Sequence, residues 1–321
     1  MKKKTKVWLL TAVLLVVLGL ILFAAGMTAN NWNFLNLSTE KYETNAYEIR
    51  EAFRNIAVET NTADILFAVS QDGKCKVVCY EAENEKHAAL VQDGTLMIRV
   101  AHQKPWYDYI GITMETPKIT VYLPQTQYDS LIIKETTGDL EIPGEFRFES
   151  MDISTSTGDV KNYASTSGTM KIKTNTGAIY VENISAEFVD LLVSTGDVTA
   201  KSVTCNGDVQ IGVSTGCVKL TDVKCKNMTS RGNTGDAFLE NVIASEVVFI
   251  ERSTGDVKME DCDAAEIQIQ TDTGDVAGTL LSEKVFLVET NTGDVDVPKT
   301  TVGGKCEITT NTGDIRVKIA E

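Results

Sequence analysis

Histidine is almost missing from this 321-residue chain, which has only His87 and His102. That disfavours His-rich metal sites and most histidine-dependent catalysis. Basic residues are also scarce, with 30 Lys and Arg against 45 Asp and Glu, for a formal net charge of −15. Lys2, Lys3, Lys4 and Lys6 precede the first apolar run with no acid among them, so the remainder holds 26 basic residues against 45 acidic ones. A phosphate backbone is held by clustered cations, and their absence excludes a nucleic-acid binder. The seven cysteines are an odd count and cannot all pair within one chain. Their settings suit small apolar core residues better than a disulfide framework.

Residues 7–26 carry no charge and read VWLLTAVLLVVLGLILFAAG. As a helix they would span about 30 Å, the thickness of a bilayer's hydrocarbon core. The lysines at residues 1–6 favour a cytoplasmic N-terminus, which places the body outside a bacterial cell membrane as a single-pass protein. A cleavable signal peptide shares this layout with a shorter core of about 7–15 residues. Small residues between Ala24 and Ala29 leave cleavage open. No cysteine follows the run closely enough to accept a lipid.

Beyond the anchor there is no 3.6-residue apolar period, and a different repeat governs. Thr-Gly-Asp or a near copy recurs with glycines at 138, 158, 177, 196, 216, 235, 255, 274, 293 and 313, spaced by 19 or 20 residues. Two residues after each glycine stand Leu140, Val160, Ile179, Val198, Val218, Ala237, Val257, Val276, Val295 and Ile315. The columns five and seven residues before it are also mostly apolar, with polar residues between. This is the period-2 pattern of strands with one buried face. A unit this short cannot bury that face alone, whereas stacked copies turn the columns into internal ladders. The expected fold is therefore all-β, a parallel β-solenoid of 19–20-residue coils behind one N-terminal transmembrane helix. A sandwich of hairpins is the competing fold, since Gly-Asp also suits a hairpin turn. The column alignment favours the solenoid.

The expected organisation is a basic segment at 1–6, an anchor at 7–26, a stalk at 27–44, a β capping region at 45–130 and the solenoid at 131–321. Ala63 fills the glycine slot of a degenerate first coil. The last coil is expected to form an open end, with Arg316 and Lys318 discouraging edge pairing. The Lys118-Ile119-Thr120-Val121-Tyr122-Leu123-Pro124 strand, the Tyr128-Asp129-Ser130-Leu131 segment and the Thr-Gly-Asp-Val coils together resemble a known family. It is the bacterial putative-adhesin β-strand-repeat family, a domain of unknown function that includes LiaG-like cell-envelope proteins. The resemblance covers residues 45–321 and implies a cell-surface β-solenoid. It brings no catalytic residues, and it implies either adhesion or a regulatory role beside envelope-stress signalling.

Three features are candidates for function. The aspartate column Asp139, Asp159, Asp197, Asp236, Asp256, Asp275, Asp294 and Asp314 could hold calcium between coils, since hard cations take oxygen ligands. The alternative is that each carboxylate accepts backbone hydrogen bonds in its own turn. The chain lacks the Gly-Gly-x-Gly-x-Asp nonapeptide of calcium-loaded β-rolls, and no other cofactor is indicated. The threonines from Thr137 to Thr312 form a hydroxyl column, comparable to ice- or glycan-binding faces, although β-branched strand-end residues whose hydroxyls bond along the ladder account for it better. Trp106, Tyr107 and Tyr109 form an aromatic cluster able to stack on sugar rings or to plug the rod's end. Coils that vary by one residue leave no room for the protruding loops of polysaccharide-cleaving β-helices, so no enzyme is expected. The expected partners are a cell-wall or surface glycan, or a membrane protein of the envelope. Cys205 and Cys225 fall on adjacent coils at the same position, where either a disulfide or small-residue packing is possible.

Overall fold

The computed structural model describes residues 3–29, 31–32, 41–101 and 115–320. Helix α1, Lys3–Ala29, is apolar on all sides and has nearly every side chain exposed. Its 27 residues are long and apolar enough to cross a membrane. The helix runs three residues past Gly26, and the first strand opens at Tyr42, inside the stretch expected as stalk.

The rest is a β-solenoid of about ten turns. One coil shows the construction. Strand Thr169–Thr176 turns at Gly177 into strand Ile179–Ala186, and both pair in parallel with the next coil, Met170 beside Val189 and Ile179 beside Val198. Met170, Ile172, Ile179 and Val181 have no exposed surface, while Lys171 and Lys173 point outward. Burying each such aliphatic side chain stabilises the fold by roughly 1.5–3 kcal/mol. A second bend falls at Asn183, whose φ is +55°. Ser202, Asp222, Asn241 and Asp261 repeat it coil by coil with φ between +50° and +55°. Asn and Asp tolerate this left-handed conformation better than other non-glycine residues.

The N-terminal strands are β1 (Tyr42–Ile49), β2 (Asn55–Thr62), β3 (Asp64–Val69), β4 (Cys75–Ala82), β5 (His87–Gln92), β6 (Thr95–Val100) and β7 (Lys118–Leu123). They lead into β8 (Gln127–Thr137) and β9 (Leu140–Ile142). β2 and β3 form a coil on β8 and β9, with Ala63 N donating to Thr137 O at the glycine position. β6 and β7 stack beyond them in parallel, as a further layer. Antiparallel strands then finish this end: β5 on β6, and β4 on β7 with β1 outside it.

The opposite end departs from sequence order. Strand Gly304–Thr312 lies between Glu266–Thr273 and Lys284–Thr292, and Ile315–Ile319 lies between Val276–Leu280 and Val295–Asp296. The coil of Gly313 is therefore inserted beneath that of Gly293, and Arg316 and Lys318 do not guard an open edge. The outermost coil is the one with Leu287 and Val295 exposed. Pro298 gives a reason. It has no N–H and stops that coil's second strand after Val295–Asp296, so the coil forfeits least at an edge. The five-residue strand Ile315–Ile319 instead pairs along the whole of Val276–Leu280. The crossover is tight at Gly303 and Gly304, where a Cβ would fall within 2.0 Å of the Glu283 and Ala265 carbonyl oxygens.

All seven cysteines are free thiols, including the stacked Cys205 and Cys225. The coil order is open to crosslinking. Gln268 and Glu307 are register partners, so a Q268C/E307C pair is expected to oxidise readily to a disulfide. Q268C/L287C, two layers or about 9.6 Å apart, is expected to stay reduced. Sequential stacking would give the reverse pattern on a non-reducing gel.

Candidate functional site

The Thr-Gly-Asp corners are built by close backbone approach. Their glycines have φ between +124° and +157°, and a Cβ on Gly196 would lie 2.1 Å from Gly177 O. Only glycine permits both the conformation and the contact. The aspartates then bond between coils rather than within their own turns. Asp139 Oδ1 accepts from Asp159 N at 2.8 Å, and Asp159 Oδ1 accepts from Ala178 N at 2.8 Å. Asp197 accepts from Cys217 N at 2.7 Å, Asp236 from Asp256 N at 2.8 Å and Asp256 from Asp275 N at 2.9 Å. Asp275 accepts from Asp314 N at 2.8 Å, and Asp314 accepts from Asp294 N at 2.7 Å. Asp64 heads the series, accepting from Asp139 N at 3.0 Å. Seven of the eight column aspartates, all but Asp294, thus commit one carboxylate oxygen to the neighbouring coil.

Beside this ladder the threonines at 137, 157, 176, 195, 215, 234, 254, 273, 292 and 312 are all exposed and lie in register. Among the described residues their hydroxyls make no hydrogen bond. The preceding residues, mostly Ser and Asn from Ser156 to Asn311, form a second exposed column. Trp106, Tyr107 and Tyr109 lie outside the described residues. The two feet of that segment are fixed, Ala101 N donating to Lys86 O and Tyr42 Oη to Glu115 O.

Under those feet is a polar cluster that sequence reading missed. Alternation along β4 turns Cys79 and Glu81 inward, and His87 opens β5 beside them. Their exposures are 0%, 1% and 4%. His87 Nδ1 lies 2.7 Å from Glu81 Oε2, which also accepts from His87 N at 2.7 Å. His87 Nε2 lies 2.8 Å from Thr60 Oγ1, and Asn45 Nδ2 donates to Glu81 Oε1 at 2.7 Å. Burial pushes the Glu81 carboxyl up, but the hydrogen bonds from His87 and Asn45 outweigh it and hold the group below its ordinary range. The only signal in the sequence was the spacing Cys79-x-Glu81, followed by one of the two histidines.

Glu135, the β8 partner of Thr60, points into the core at the next layer. Neither of its oxygens has a hydrogen-bond partner among the described residues. Burial, with Asp64 and Asp139 nearby, pushes its carboxyl up to about 8. At the corner away from the glycines, a groove of about 920 Å³ opens where β1, β3 and β7 end. Phe53, Val69, Tyr122 and Tyr128 give it an apolar lining, and Arg50, Glu51, Asp72 and Lys74 give it a charged rim. Phe53 stacks on Tyr128 at 6.0 Å.

The model of the family described as Toastrack DUF4097 matches residues 53–212 and 206–321. No curated protein matches the chain. Among solved structures, a "putative adhesin" from Bacteroides fragilis NCTC 9343 is 14% identical, with a TM-score of 0.41 over 87% of this chain and 97% of its own. A "putative lipid binding protein" from Parabacteroides distasonis ATCC 8503 is 14% identical, with a TM-score of 0.47 over 88% and 98%. A "putative adhesin" from the same organism is 9% identical, with a TM-score of 0.46 over 85% and 98%.

Two substitutions test the corner and the buried acid. Asp256→Ala removes the acceptor beneath Asp275 N and is expected to cost about 1 kcal/mol in denaturant unfolding. Asp256→Asn keeps an acceptor oxygen and should cost distinctly less. Glu135 titrates higher folded (about 8) than its ordinary 4.5, so its contribution to stability is complete below about 4.5 and is lost as pH rises through about 8. Thermal midpoints from pH 5 to 9 should fall for the native chain relative to Glu135→Gln, with Gln the more stable at pH 9.

Proposed function

The chain belongs to the Toastrack DUF4097 family, and from that premise we propose that it is a non-catalytic binding module of the bacterial cell surface. It is held by its N-terminal helix and acts as an adhesin or organiser of the envelope. The exposed threonine column carries this reading. Its hydroxyls repeat about every 4.8 Å and lack protein partners among the described residues, with the Ser and Asn column alongside. A wall or surface glycan also repeats hydroxyl and amide groups, so weak bonds at each coil sum along the rod. The near-constant coil length supports a binding role over a catalytic one, because no loops rise between Gly138 and Gly313 to wall a cleft. The lysines before the helix favour a cytoplasmic N-terminus and an external rod.

A second reading, a regulatory partner of a membrane-bound envelope-stress system, draws on the groove between Phe53 and Tyr128. That groove lies at the end joined to the helix through residues 30–41, a tether of at most about 45 Å. A neighbouring membrane protein would meet this end first.

Co-sedimentation of the full chain in detergent with isolated sacculi, in calcium and again in chelator, separates the readings. Saturable pelleting is expected, weakened about tenfold or more by the combined Thr195→Val, Thr215→Val and Thr234→Val replacement, which keeps β-branched shape. Calcium dependence would assign a metal role to the aspartate column. A protein that stays in the supernatant under both conditions rejects wall binding, and crosslinking in the native membrane then tests the regulatory partner.

A further inference from the structure

The molecule offers three sets of groups that its proposed function does not use: the uncapped C-terminal coil, the unpartnered Glu135, and the buried Cys79, Glu81 and His87. The last carries an argument furthest. Each of its residues supplies one ligand atom, and the three atoms lie within 4.8 Å of one another. We propose that Cys79 Sγ, Glu81 Oε2 and His87 Nδ1 form a transition-metal site of zinc type at the capped end of the rod.

The donor set selects the ion. Thiolate, imidazole and carboxylate together suit Zn²⁺ at about 2.3, 2.0 and 2.0–2.2 Å, whereas calcium and magnesium take oxygen ligands. Tetrahedral donors at those bond lengths sit roughly 3.5 Å apart. The His87–Glu81 pair at 2.7 Å would therefore open slightly around the ion while Cys79 closes on it.

The surrounding hydrogen bonds have the layout of an outer shell. With Nδ1 on the metal, His87 Nε2–H donates to Thr60 Oγ1, now 2.8 Å away, which fixes ring and tautomer. Asn45 Nδ2 holds the other Glu81 oxygen at 2.7 Å, and Tyr47 Oη donates to the His87 carbonyl at 2.5 Å. Cys79 is the member without such a bond. Among the described residues Cys79 Sγ donates no hydrogen bond, as is also true of Cys75, Cys217, Cys225 and Cys306, so its sulfur is not committed elsewhere. Its thiol is fully buried, with Glu81 and His87 beside it. A zinc ion held there would take the sulfur as thiolate, so binding would release the thiol proton to solvent.

The site ties β4 to β5 where residues 101 and 115 leave and rejoin the rod. Metal would thus stiffen the base from which the aromatic residues are carried. This inference stands whether the rod binds glycan or a membrane protein.

The test is titration of the metal-stripped full chain in detergent with Co²⁺, followed by Zn²⁺. One equivalent of Co²⁺ should give a near-ultraviolet thiolate-to-cobalt band, displaced by Zn²⁺, and Zn²⁺ should raise the thermal midpoint. Cys79→Ser and His87→Gln should abolish the band, while Cys75→Ser, buried four residues away and outside the cluster, should keep it. Thr60→Val, which retains all three ligands, should weaken binding at least tenfold. A folded native chain without the band overturns the proposal, as does a band that survives Cys79→Ser. Should the ligand variants fail to fold, the native titration and Thr60→Val still decide it.

Discussion

The structure depends on how closely one corner can approach the next. At each Thr-Gly-x step the carbonyl oxygen of the neighbouring corner, a glycine at every step but Gly138, where it is Ala63, lies about 2 Å from where the glycine would carry a Cβ. That approach brings the strands on both sides of the corner into ladder distance at once, so a single residue type keeps two sheets in register. The aspartate beside it adds a charge-assisted bond across the same gap. Ala178 and Cys217 show that the carboxylate can be spared at a coil, whereas all ten steps keep glycine. The same constraint leaves the adjoining threonine on the outside of the turn. The proposed binding face is thus a by-product of the stacking geometry that also supports it.

Much of the coil was legible because its information is local. The alternation around Ile172 and Ile179 gives strand, face and repeat without knowledge of neighbours, and Ala63 could be placed by the same columns. The left-handed bend at Asn183 was not read. Its column contains Ser202 and Asp222 and so has no single residue type to announce it. For the aspartates, an acceptor role was expected in the turn itself, yet the donor lies one coil on. Sequence identifies the acceptor, and only the three-dimensional stacking identifies the donor.

The two ends were the least legible parts, because pairing there joins segments far apart in the chain. Nothing near Ile315 indicates that it lies against Val276 rather than only against Val295, and the reason sits at Pro298. Likewise, His87 acquires its surroundings from β1, β2 and β4 together. Cys79 and Glu81 meet it only because β4 and β5 lie side by side. Glu135 reads as one more outward charge by composition, but its position three residues before Gly138 turns it inward, where Thr155 and Thr174 stand in the next coils.

The inserted final coil also has a consequence for biogenesis. A solenoid stacked in chain order can close layer by layer as it emerges from N- to C-terminus, each coil finishing on the one before. Here residues 284–296 have no completed layer to rest on until 304–319 have emerged and filled the space beneath them. The last two coils must therefore form together, as one cooperative step after the rest of the rod. Until then the floor of Ile267, Ile269 and Val276 remains uncovered, a solvent-facing apolar mark that distinguishes an unfinished molecule from a finished one for any chaperone or protease patrolling the compartment.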